Sequence, residues 1–296
     1  RLGASSRLRT FQYIPQLQYR GIDCVIKPLL NDSMLRRKYS LGKYSLVGLM
    51  GAYSHRVLQL MRRHLFDLVW IEKEALPWLP VWIERALLCG VPYVLDFDDA
   101  LFHHYDLHPS PLVRCFLGHR LDLLMADARL VVCGNDYLAE RAKHAGAPWV
   151  EVLPTAIDLE RYHSPPADNS DCDVPRIVWI GSPTTVHYLN LIHKSLLSLR
   201  ERYPFKLRVI GARLDLLGID VEYIDWSEES EVSAIQACQV GIMPLLDSPW
   251  ERGKCGYKLI QYMACGLPVV ASPVGVNHMI VHEGVNGFLA GSHDEW

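Results

Sequence analysis

Residues 254–275 read KCGYKLIQYMACGLPVVASPVG and are the most informative part of the sequence. Gly256 stands where a loop passes into a predicted helix, and Gly266 and Pro268 end that helix. The run Val269–Ala271 then predicts a buried parallel strand. Because a helix N-terminus carries free amide groups and a partial positive charge, the start of this helix favours an anionic ligand.

Polar side chains accompany this helix start. Lys258 and Gln261 are three residues apart, so they share one face of the predicted helix. Arg252 and Lys254 precede the helix and are further candidates for neutralising phosphate charge. Together these residues predict a site that holds a diphosphate and the hydroxyl groups of an attached sugar.

A second candidate phosphate loop comes earlier in the chain. Gly181, Ser182 and Thr184 follow a predicted strand and precede a predicted helix. The backbone amides and hydroxyl groups of such a loop can cradle a diphosphate. The alternative is an ordinary turn between a strand and a helix.

Strands and helices alternate in two runs, which predicts two parallel sheets. The first run of strands comprises Asp23–Pro28, Asp67–Ile71, Tyr93–Asp96, Leu130–Cys133 and Val150–Leu153. The second comprises Arg176–Ile180, Lys206–Gly211, Val221–Ile224, Val240–Met243 and Val269–Ala271. Residues 164–171 between them have the composition of a linker. We therefore expect an α/β protein with two Rossmann-like domains, residues 1–163 and 164–296, that face a cleft.

The composition is that of a globular protein, because half of the 296 residues are hydrophobic and 21% are charged. No apolar run reaches the ~18 residues of a membrane span, and no signal peptide is expected. The net charge of −3 gives no indication of nucleic-acid binding. The eight cysteines lack metal-binding spacing, which favours reduced thiols in a cytoplasmic protein.

The segment QYMACGLPVVAS resembles the nucleotide-sugar site of glycosyltransferase family 4, whose members have the GT-B fold. In the family, two glutamates separated by seven residues precede the part of this segment that contains a small residue, Gly, Pro and Val-Val. Here Gly253 stands at the first position and Gln261 at the second. The family's arginine and lysine are absent after Gly181. The resemblance implies that Gln261 bonds the nucleotide ribose, that Lys258 carries most of the phosphate charge, and that Gly275 lets the following turn approach the donor sugar.

The resemblance also implies a reaction. A sugar, of hexosyl type, would pass from a nucleotide-diphosphate sugar to a hydroxyl group of a glycan or lipid-linked glycan. Retention of anomeric configuration, no cofactor, no metal ion and a role in polysaccharide biosynthesis are expected. The family's first strand and C-terminal helices are expected to be missing. Two alternatives are a nucleotide-sugar epimerase of the same fold and a non-catalytic sugar-nucleotide-binding protein.

Carboxylates follow the third predicted strand, in the sequence Asp96-Phe97-Asp98-Asp99. Burying such a group of charges costs free energy unless the carboxylates are solvated, paired or bound to a cation. The spacing resembles the metal motif of the other glycosyltransferase fold, GT-A, but two successive Rossmann-like halves favour GT-B. In GT-B members the equivalent loop faces the acceptor, so the resemblance implies that Asp98 or Asp99 is the candidate catalytic residue that orients or deprotonates the acceptor hydroxyl. The alternative is that Asp99 caps a helical turn and Asp96 pairs with an arginine.

Two further segments are assigned to the acceptor side. Ser5 or Ser6 is predicted to cap the first helix, which puts Arg7 in the first turn. A cation is disfavoured there unless an anion binds, so Ser6 and Arg7 are candidate acceptor-side residues; a solvated arginine is the alternative. His103 belongs to a group of histidines whose spacing suits an acceptor-lining loop better than a metal site.

Glu72 and Glu74 follow the second predicted strand, with Trp78 and Trp82 close behind them. The ends of parallel strands are where ligands bind, so these residues are candidates for lining the acceptor site. Acids at a helix N-terminus also have a purely structural use, and the sequence does not decide between the two.

Residues 35–66 contain bases and no acid, with apolar residues between the charges. The bases are Arg36, Arg37, Lys38, Lys43, Arg56, Arg62 and Arg63. A basic amphipathic stretch can lie on an anionic membrane, which predicts a cytoplasmic protein bound peripherally at the inner face of the membrane. A solvated helix face is the alternative.

Overall fold

The computed structural model describes residues 4–162 and 174–296, apart from the side chains of residues 4 and 39–41. The chain divides into two compact units. The first extends to Thr155 and includes Gly253–Cys255, and the second comprises Ala156–Arg252 and Gly256–Trp296. This division precedes the predicted boundary at residue 163, and the predicted linker lies outside the described residues.

The first unit is built on a sheet of four parallel strands in the order β1-β2-β3-β4. The strands are β1 Val69–Glu72, β2 Tyr93–Phe97, β3 Leu130–Cys133 and β4 Val150–Val152. The helices are α1 Ala4–Arg9, α2 Ile14–Tyr19, α3 Asp32–Leu41, α4 Leu46–Met61, α5 Val81–Leu88, α6 His103–Asp106, α7 Pro111–Leu117, α8 Arg120–Asp127 and α9 Asp136–His144. All five side chains of β2 are buried, as expected for a central parallel strand.

The predicted strand at Asp23–Pro28 is wrong. Residues 22–28 form no regular secondary structure, and Val25 and Ile26 are 56% and 46% exposed. A strand is stabilised by pairing with a neighbour and by burial of one face, and this segment has neither. The other strands predicted for the first unit are present, with slightly different ends.

The second unit contains six parallel strands in the order β10-β9-β8-β5-β6-β7. They are β5 Arg176–Ile180, β6 Lys206–Ile210, β7 Val221–Ile224, β8 Val240–Met243, β9 Val269–Ala271 and β10 Gly287–Leu289. The helices are α10 His193–Arg202, α11 Glu231–Gln236, α12 Pro249–Arg252, α13 Tyr257–Ala264 and α14 Asn277–Ile280. Five of these strands were predicted and β10 was not.

The second sheet changes direction at β5. The chain adds β6 and β7 on one side of β5 and then returns to add β8, β9 and β10 on the other. In open parallel sheets such a reversal creates a crevice at the carboxyl ends of the strands that flank it. Gly181 directly follows β5, so the predicted phosphate loop lies at this crevice.

Helix α13 is anchored beside the same crevice by Tyr262, which is fully buried. The Tyr262 hydroxyl accepts a hydrogen bond of 2.9 Å from the backbone N–H of Ile180, the last residue of β5. Gly241 in β8 makes room for the ring, since a Cβ at that position would lie 2.3 Å from it. These contacts fix α13 next to the end of β5.

Candidate active site

Candidate site residues occur in both units, and each unit is described by itself. In the second unit, the loop after β5 is a tight turn. Gly181 is required there, because a Cβ would lie 2.5 Å from Cη2 of Trp179. The hydroxyls of Ser182 and Thr184 are 2.7 Å apart, and the Ser182 N–H donates to the Thr185 hydroxyl at 3.3 Å. The turn leads into a 3₁₀ helix at Val186–Ile192, followed by α10.

Gly256 is the N-cap of helix α13, and its φ of 65° is left-handed and suits glycine. In the first turn of this helix, Nζ of Lys258 lies 4.4 Å from the centroid of the Trp179 ring. The fully buried indole therefore touches Gly181 on the loop and Lys258 on the helix. The structure thus brings together two separately predicted parts, and the residue that joins them was missed in the sequence. A tryptophan immediately before the end of a buried strand was the available signal.

Gln261 is one turn further along α13 and only 2% exposed. It lies beside the Tyr162 hydroxyl, which is 3.5 Å from the hydroxyl of Tyr257. Burial raises the pKa of Tyr162, with Tyr257 adding to the effect. The Nε2 atom of Gln261 has no hydrogen bond of normal geometry within residues 4–162 and 174–296. A buried amide in this state is costly unless a ligand or a small rotation satisfies it.

Arg252 and Gly275 meet at the end of α12. The Arg252 side chain is half exposed and bonds Asp247 at 2.7 and 3.0 Å. The pKa of Asp247 is lowered by these hydrogen bonds. Gly275 has a φ of 55°, and a Cβ there would lie 2.9 Å from the Arg252 carbonyl oxygen. Position 275 therefore requires glycine because its backbone lies close to the backbone of Arg252.

In the first unit, Lys73 is the centre of the site. It directly follows β1 and has a φ of 67°, which is unusual for a residue other than glycine. Its Nζ lies 2.9 Å from Asp98 Oδ1 and 3.4 Å from Asp99 Oδ2, and it donates to the Ser5 hydroxyl at 3.0 Å. Burial opposes the charge of Lys73, but the two aspartates outweigh it, so the pKa of Lys73 is raised. A lysine between Glu72 and Glu74 at a strand end was the overlooked signal.

The two candidate catalytic aspartates have different surroundings. The Asp98 side chain is 13% exposed and the Asp99 side chain 28%. Burial alone would raise the pKa of Asp98, but Lys73 and a hydrogen bond from Ser5 outweigh burial and lower it. Asp99 makes only the longer contacts, 3.4 Å to Lys73 and 3.6 Å to Lys254. Asp98 is therefore held ionised by its partners, while Asp99 is more open to a ligand.

Residues 253–255 pack into the first unit. The Asn135 side chain donates to the carbonyl oxygens of Gly253 and Lys254 at 3.0 and 3.1 Å. A Cβ at Gly253 would lie 2.4 Å from Cβ of Ala100, so only glycine fits. Cys255 Sγ lies 3.1 Å from the Asp98 carbonyl oxygen. Lys254, predicted among the phosphate-binding bases, thus lies beside the aspartates, and no glutamate would be accommodated at position 253.

The prediction for α1 needs correction. The helix begins at Ala4, so Ser5 and Ser6 lie inside it, and Arg7 belongs to its last turn, where a cation is favoured. The dipole argument for an anion near Arg7 therefore does not hold. Ser6 instead donates a 2.7 Å hydrogen bond to Glu72, whose pKa is raised by burial.

Arg9 at the end of α1 pairs with Asp96 at 2.7 Å, and both side chains are buried. This is the pairing of Asp96 with an arginine that the sequence left open. Asp96 is therefore engaged in a structural ion pair, which leaves Asp98 and Asp99 as the candidate catalytic residues.

The two histidines that open α6 have different environments. Nδ1 of His103 bonds Asp106 at 2.8 Å, and Nε2 bonds the Tyr137 hydroxyl at 2.8 Å. His103 lines an open depression of about 660 Å³ on this unit. Burial lowers the pKa of His104, an effect that Asp99 opposes and Lys73 and Lys254 add to. His104, which the sequence did not single out, is thus the histidine near Asp99.

Glu74 belongs to a buried network. Arg120 Nε donates to Glu74 at 3.0 Å, and the Tyr105 hydroxyl donates to the same carboxylate at 2.8 Å. Arg120 also pairs with Glu84, and both side chains are fully buried. Burial raises the pKa of Glu74, against the effect of Arg120. Its partners give Glu74 a structural role.

The structure also bears on metals and membranes. In the described part of the chain, no three histidine, cysteine or acidic side chains are grouped so as to hold a metal ion. Within the same residues, none of the helices combines the length and apolarity needed to cross a membrane.

Known proteins resemble the chain in sequence and in fold. Residues 174–296 match the family model described as Glycosyl transferases group 1, which confirms the predicted resemblance over that part. No curated protein matches the chain significantly.

Solved structures match nearly the whole chain. HepE of Anabaena, in complex with UDP and glucose, is 18% identical, with a TM-score of 0.64 over 95% of this chain and 76% of HepE. Sucrose-phosphate synthase of Thermosynechococcus elongatus is 16% identical, with a TM-score of 0.62 over 86% and 68%. A glycosyltransferase from Rickettsia africae is 12% identical, with a TM-score of 0.61 over 99% and 82%. At these identities the likeness establishes the fold, and the predicted GT-B fold is confirmed.

We predict that Lys73→Met lowers the free energy of unfolding of the first unit by about 3 kcal/mol at pH 7, because it leaves a mostly buried carboxylate without its cation. In the parent, the lowered pKa of Asp98 contributes stability that is lost as pH falls through that pKa. In the variant, burial remains and the pKa of Asp98 rises. The destabilisation should therefore shrink on acidification to about pH 4, where Asp98 takes up a proton.

Urea unfolding of both proteins at pH 7 and pH 4 measures this difference. Lys43→Met, which removes an exposed lysine of the same unit, is the matched control. A loss for Lys73→Met that is equal at the two pH values would contradict the ion-pair account.

Proposed function

We propose that this protein transfers a sugar from a nucleotide-diphosphate sugar to a hydroxyl group of an acceptor. One observation carries the proposal: the Gly181 loop and the start of α13 meet around Trp179 at the strand reversal of the second sheet. Two sets of backbone amides and one ammonium group thus surround one crevice, in the segment that matches group 1 glycosyltransferases. A diphosphate fits this combination.

In the proposed reaction the second unit binds the donor. The diphosphate lies against the amides after Gly181 and at the start of α13, and Lys258 supplies the main positive charge. This charge replaces the arginine and lysine that the sequence lacks after Gly181. Donors fixed in advance stabilise the leaving diphosphate as its charge develops in the transition state. Gln261 bonds the ribose, and no metal ion or cofactor is needed in this proposal.

The first unit acts on the acceptor. Asp98 is occupied by Lys73 and Ser5, so we assign the contact with the acceptor hydroxyl to Asp99. The acceptor is a glycan or lipid-linked glycan, the sugar is a hexose, and the configuration is retained. A role in polysaccharide biosynthesis belongs to the same proposal. HepE is crystallised with UDP and with UDP-glucose, which makes UDP-glucose the first donor to test.

The first unit also has a surface suited to an anionic membrane. Along α4, Val47, Met50, Leu58 and Met61 share one face by their spacing, and all four are more than half exposed. Arg36, Arg37, Lys43 and Arg62 are exposed near it in the chain, whereas Arg56 and Arg63 donate to backbone carbonyls. We propose that this face binds the inner surface of the cytoplasmic membrane, where a lipid-linked acceptor would be found.

The donor proposal predicts a selective effect of Lys258→Ala. Because a hydrogen bond to a charged group is worth ~1.5–3 kcal/mol, affinity for UDP should fall roughly 10- to 150-fold. Affinity for uridine should hardly change, since that ligand has no phosphate. Isothermal titration calorimetry with both ligands is the measurement.

Lys194→Ala, at an exposed lysine of α10, is the control and should bind UDP like the parent. Equal losses for UDP and uridine would assign Lys258 to supporting the helix rather than to phosphate binding. If the parent binds neither ligand, and no GDP or dTDP either, the proposed function fails.

The acceptor assignment predicts that Asp99→Asn lowers turnover of UDP-glucose by about 10²–10⁴-fold and leaves UDP affinity unchanged. Asp98→Asn should mainly lower stability, because it weakens the contact with Lys73. Initial rates with an acceptor and thermal unfolding separate the two effects. Activity of Asp99→Asn within twofold of the parent would remove Asp99 from the mechanism, and donor turnover without any acceptor would indicate an epimerase.

The membrane proposal predicts that the protein sediments with anionic vesicles at low salt. A base near an anionic surface contributes ~1 kcal/mol, so the double variant Arg36→Gln, Arg62→Gln should bind at least about tenfold more weakly. Val47→Ser, Met50→Ser should also weaken binding. Arg213→Gln, at an exposed base of the second unit, is the control. Equal sedimentation of the parent with anionic and neutral vesicles would remove the proposal.

A further inference from the structure

The loop between β1 and α5 contains both of the non-glycine residues with positive φ found in the described residues. They are Lys73, with a φ of 67°, and Trp78, with a φ of 63°. A large side chain in this conformation is strained, and such strain persists only where surrounding contacts fix it. Lys73 has an evident reason for its conformation, since it reaches the two aspartates. Trp78 calls for a separate explanation.

Trp78 is fixed by the buried network of Glu74. Its backbone N–H donates to the Tyr105 hydroxyl at 3.1 Å, and that hydroxyl donates in turn to Glu74. Arg120 holds the other side of the carboxylate. Tyr105 and Arg120 are each 1% exposed, so the support beneath Trp78 is buried. The pKa of Tyr105 is raised by burial, which keeps its hydroxyl protonated as a donor.

The indole itself remains 50% exposed. Its ring meets Tyr105 edge-on, with centroids 5.0 Å apart, and His108 edge-on at 5.8 Å. A strained backbone and a buried ionic network thus hold an aromatic ring that contributes only part of its surface to the core. Folding alone gives little reason for this arrangement, because burial is what makes a tryptophan stabilising.

A second exposed tryptophan of the same unit provides the comparison. Trp149 is 54% exposed, has no positive φ, and bonds the side chain of Glu151. It precedes β4 and therefore lies at the amino ends of the strands, away from the edge where ligands bind in parallel sheets. Trp149 is an ordinary surface residue, and the features of Trp78 do not follow from exposure alone.

We propose that Trp78 is the stacking platform for a pyranose ring of the acceptor. A pyranose has an apolar face of C–H groups that suits an indole, and hydroxyl groups at its edge that remain free for hydrogen bonds. One loop holds both this platform and Lys73, which orders Asp98 and Asp99. The inference rests on the proposed glycosyltransferase function and narrows its acceptor to one that presents a sugar ring.

Saturation-transfer NMR with methyl pyranosides of glucose, galactose, mannose and N-acetylglucosamine tests the platform directly. Glycerol, a polyol without a ring, is the negative probe. The parent should bind at least one of the pyranosides. Trp78→Leu should weaken that binding about tenfold, Trp78→Phe should keep most of it, and Trp149→Leu should bind like the parent. Thermal unfolding of each variant reports whether the fold is intact.

With UDP-glucose as donor and the bound pyranoside as acceptor, Trp78→Leu should raise the KM for the acceptor and leave the KM for the donor unchanged. The proposal is overturned if no pyranoside binds the parent, if Trp78→Leu binds within twofold of it, or if Trp78→Phe loses as much as Trp78→Leu. UDP affinity is measured in the same samples. A parent that binds UDP but no pyranoside defeats the platform alone, whereas a parent that binds pyranosides but no nucleotide defeats the donor assignment alone.

Discussion

Neutralisation of the carboxylates in the Asp96–Asp99 segment is the interaction on which the first unit depends. Strand β2 brings these side chains to one edge of the sheet, where an isolated buried charge would cost several kcal/mol. Bases from three distant parts of the chain meet them: Arg9 from α1, Lys73 from the loop after β1, and Lys254. One electrostatic requirement therefore determines the positions of three segments that share no secondary structure.

The same ion pairs give the three aspartates different roles. Asp96 is buried against Arg9 and Asp98 is held by Lys73 and Ser5, so neither is available to a ligand without breaking a buried ion pair. Asp99 has the longest contacts and the most exposure of the three. Its partner Lys254 is two residues before Gly256, the N-cap of α13. One short segment thus contacts the aspartate assigned to the acceptor and leads into the helix assigned to the donor.

The sequence predicted the parallel strands well where a strand is buried on both faces, because such runs are apolar and bounded by turn residues. It failed at Asp23–Pro28, where an apolar run has no partner strand, since pairing is a property of the whole sheet. The two segments proposed to bind phosphate were identified by their glycines, but Trp179, which contacts both, was not, because contact between residues 179 and 258 depends on tertiary packing. Lys73 was not predicted as a site residue for a related reason: its partners Ser5, Asp98 and Asp99 are far from it in the sequence.

At position 73 the chemistry of the side chain determines the residue type, in spite of the backbone strain. A glycine at position 73 would adopt a φ of 67° freely, yet it would leave Asp98 without its cation. The strain of a left-handed residue is ~1–3 kcal/mol, while removing one partner of a buried ion pair costs ~3–5 kcal/mol, so the lysine is favoured. At Gly253 and Gly275 the balance is reversed, because a Cβ would lie less than 3 Å from Ala100 or from the backbone of Arg252. The residue type at these positions therefore depends on what is needed there. Glycine occurs where a Cβ has no space, and a strained non-glycine residue occurs where a functional side chain is required.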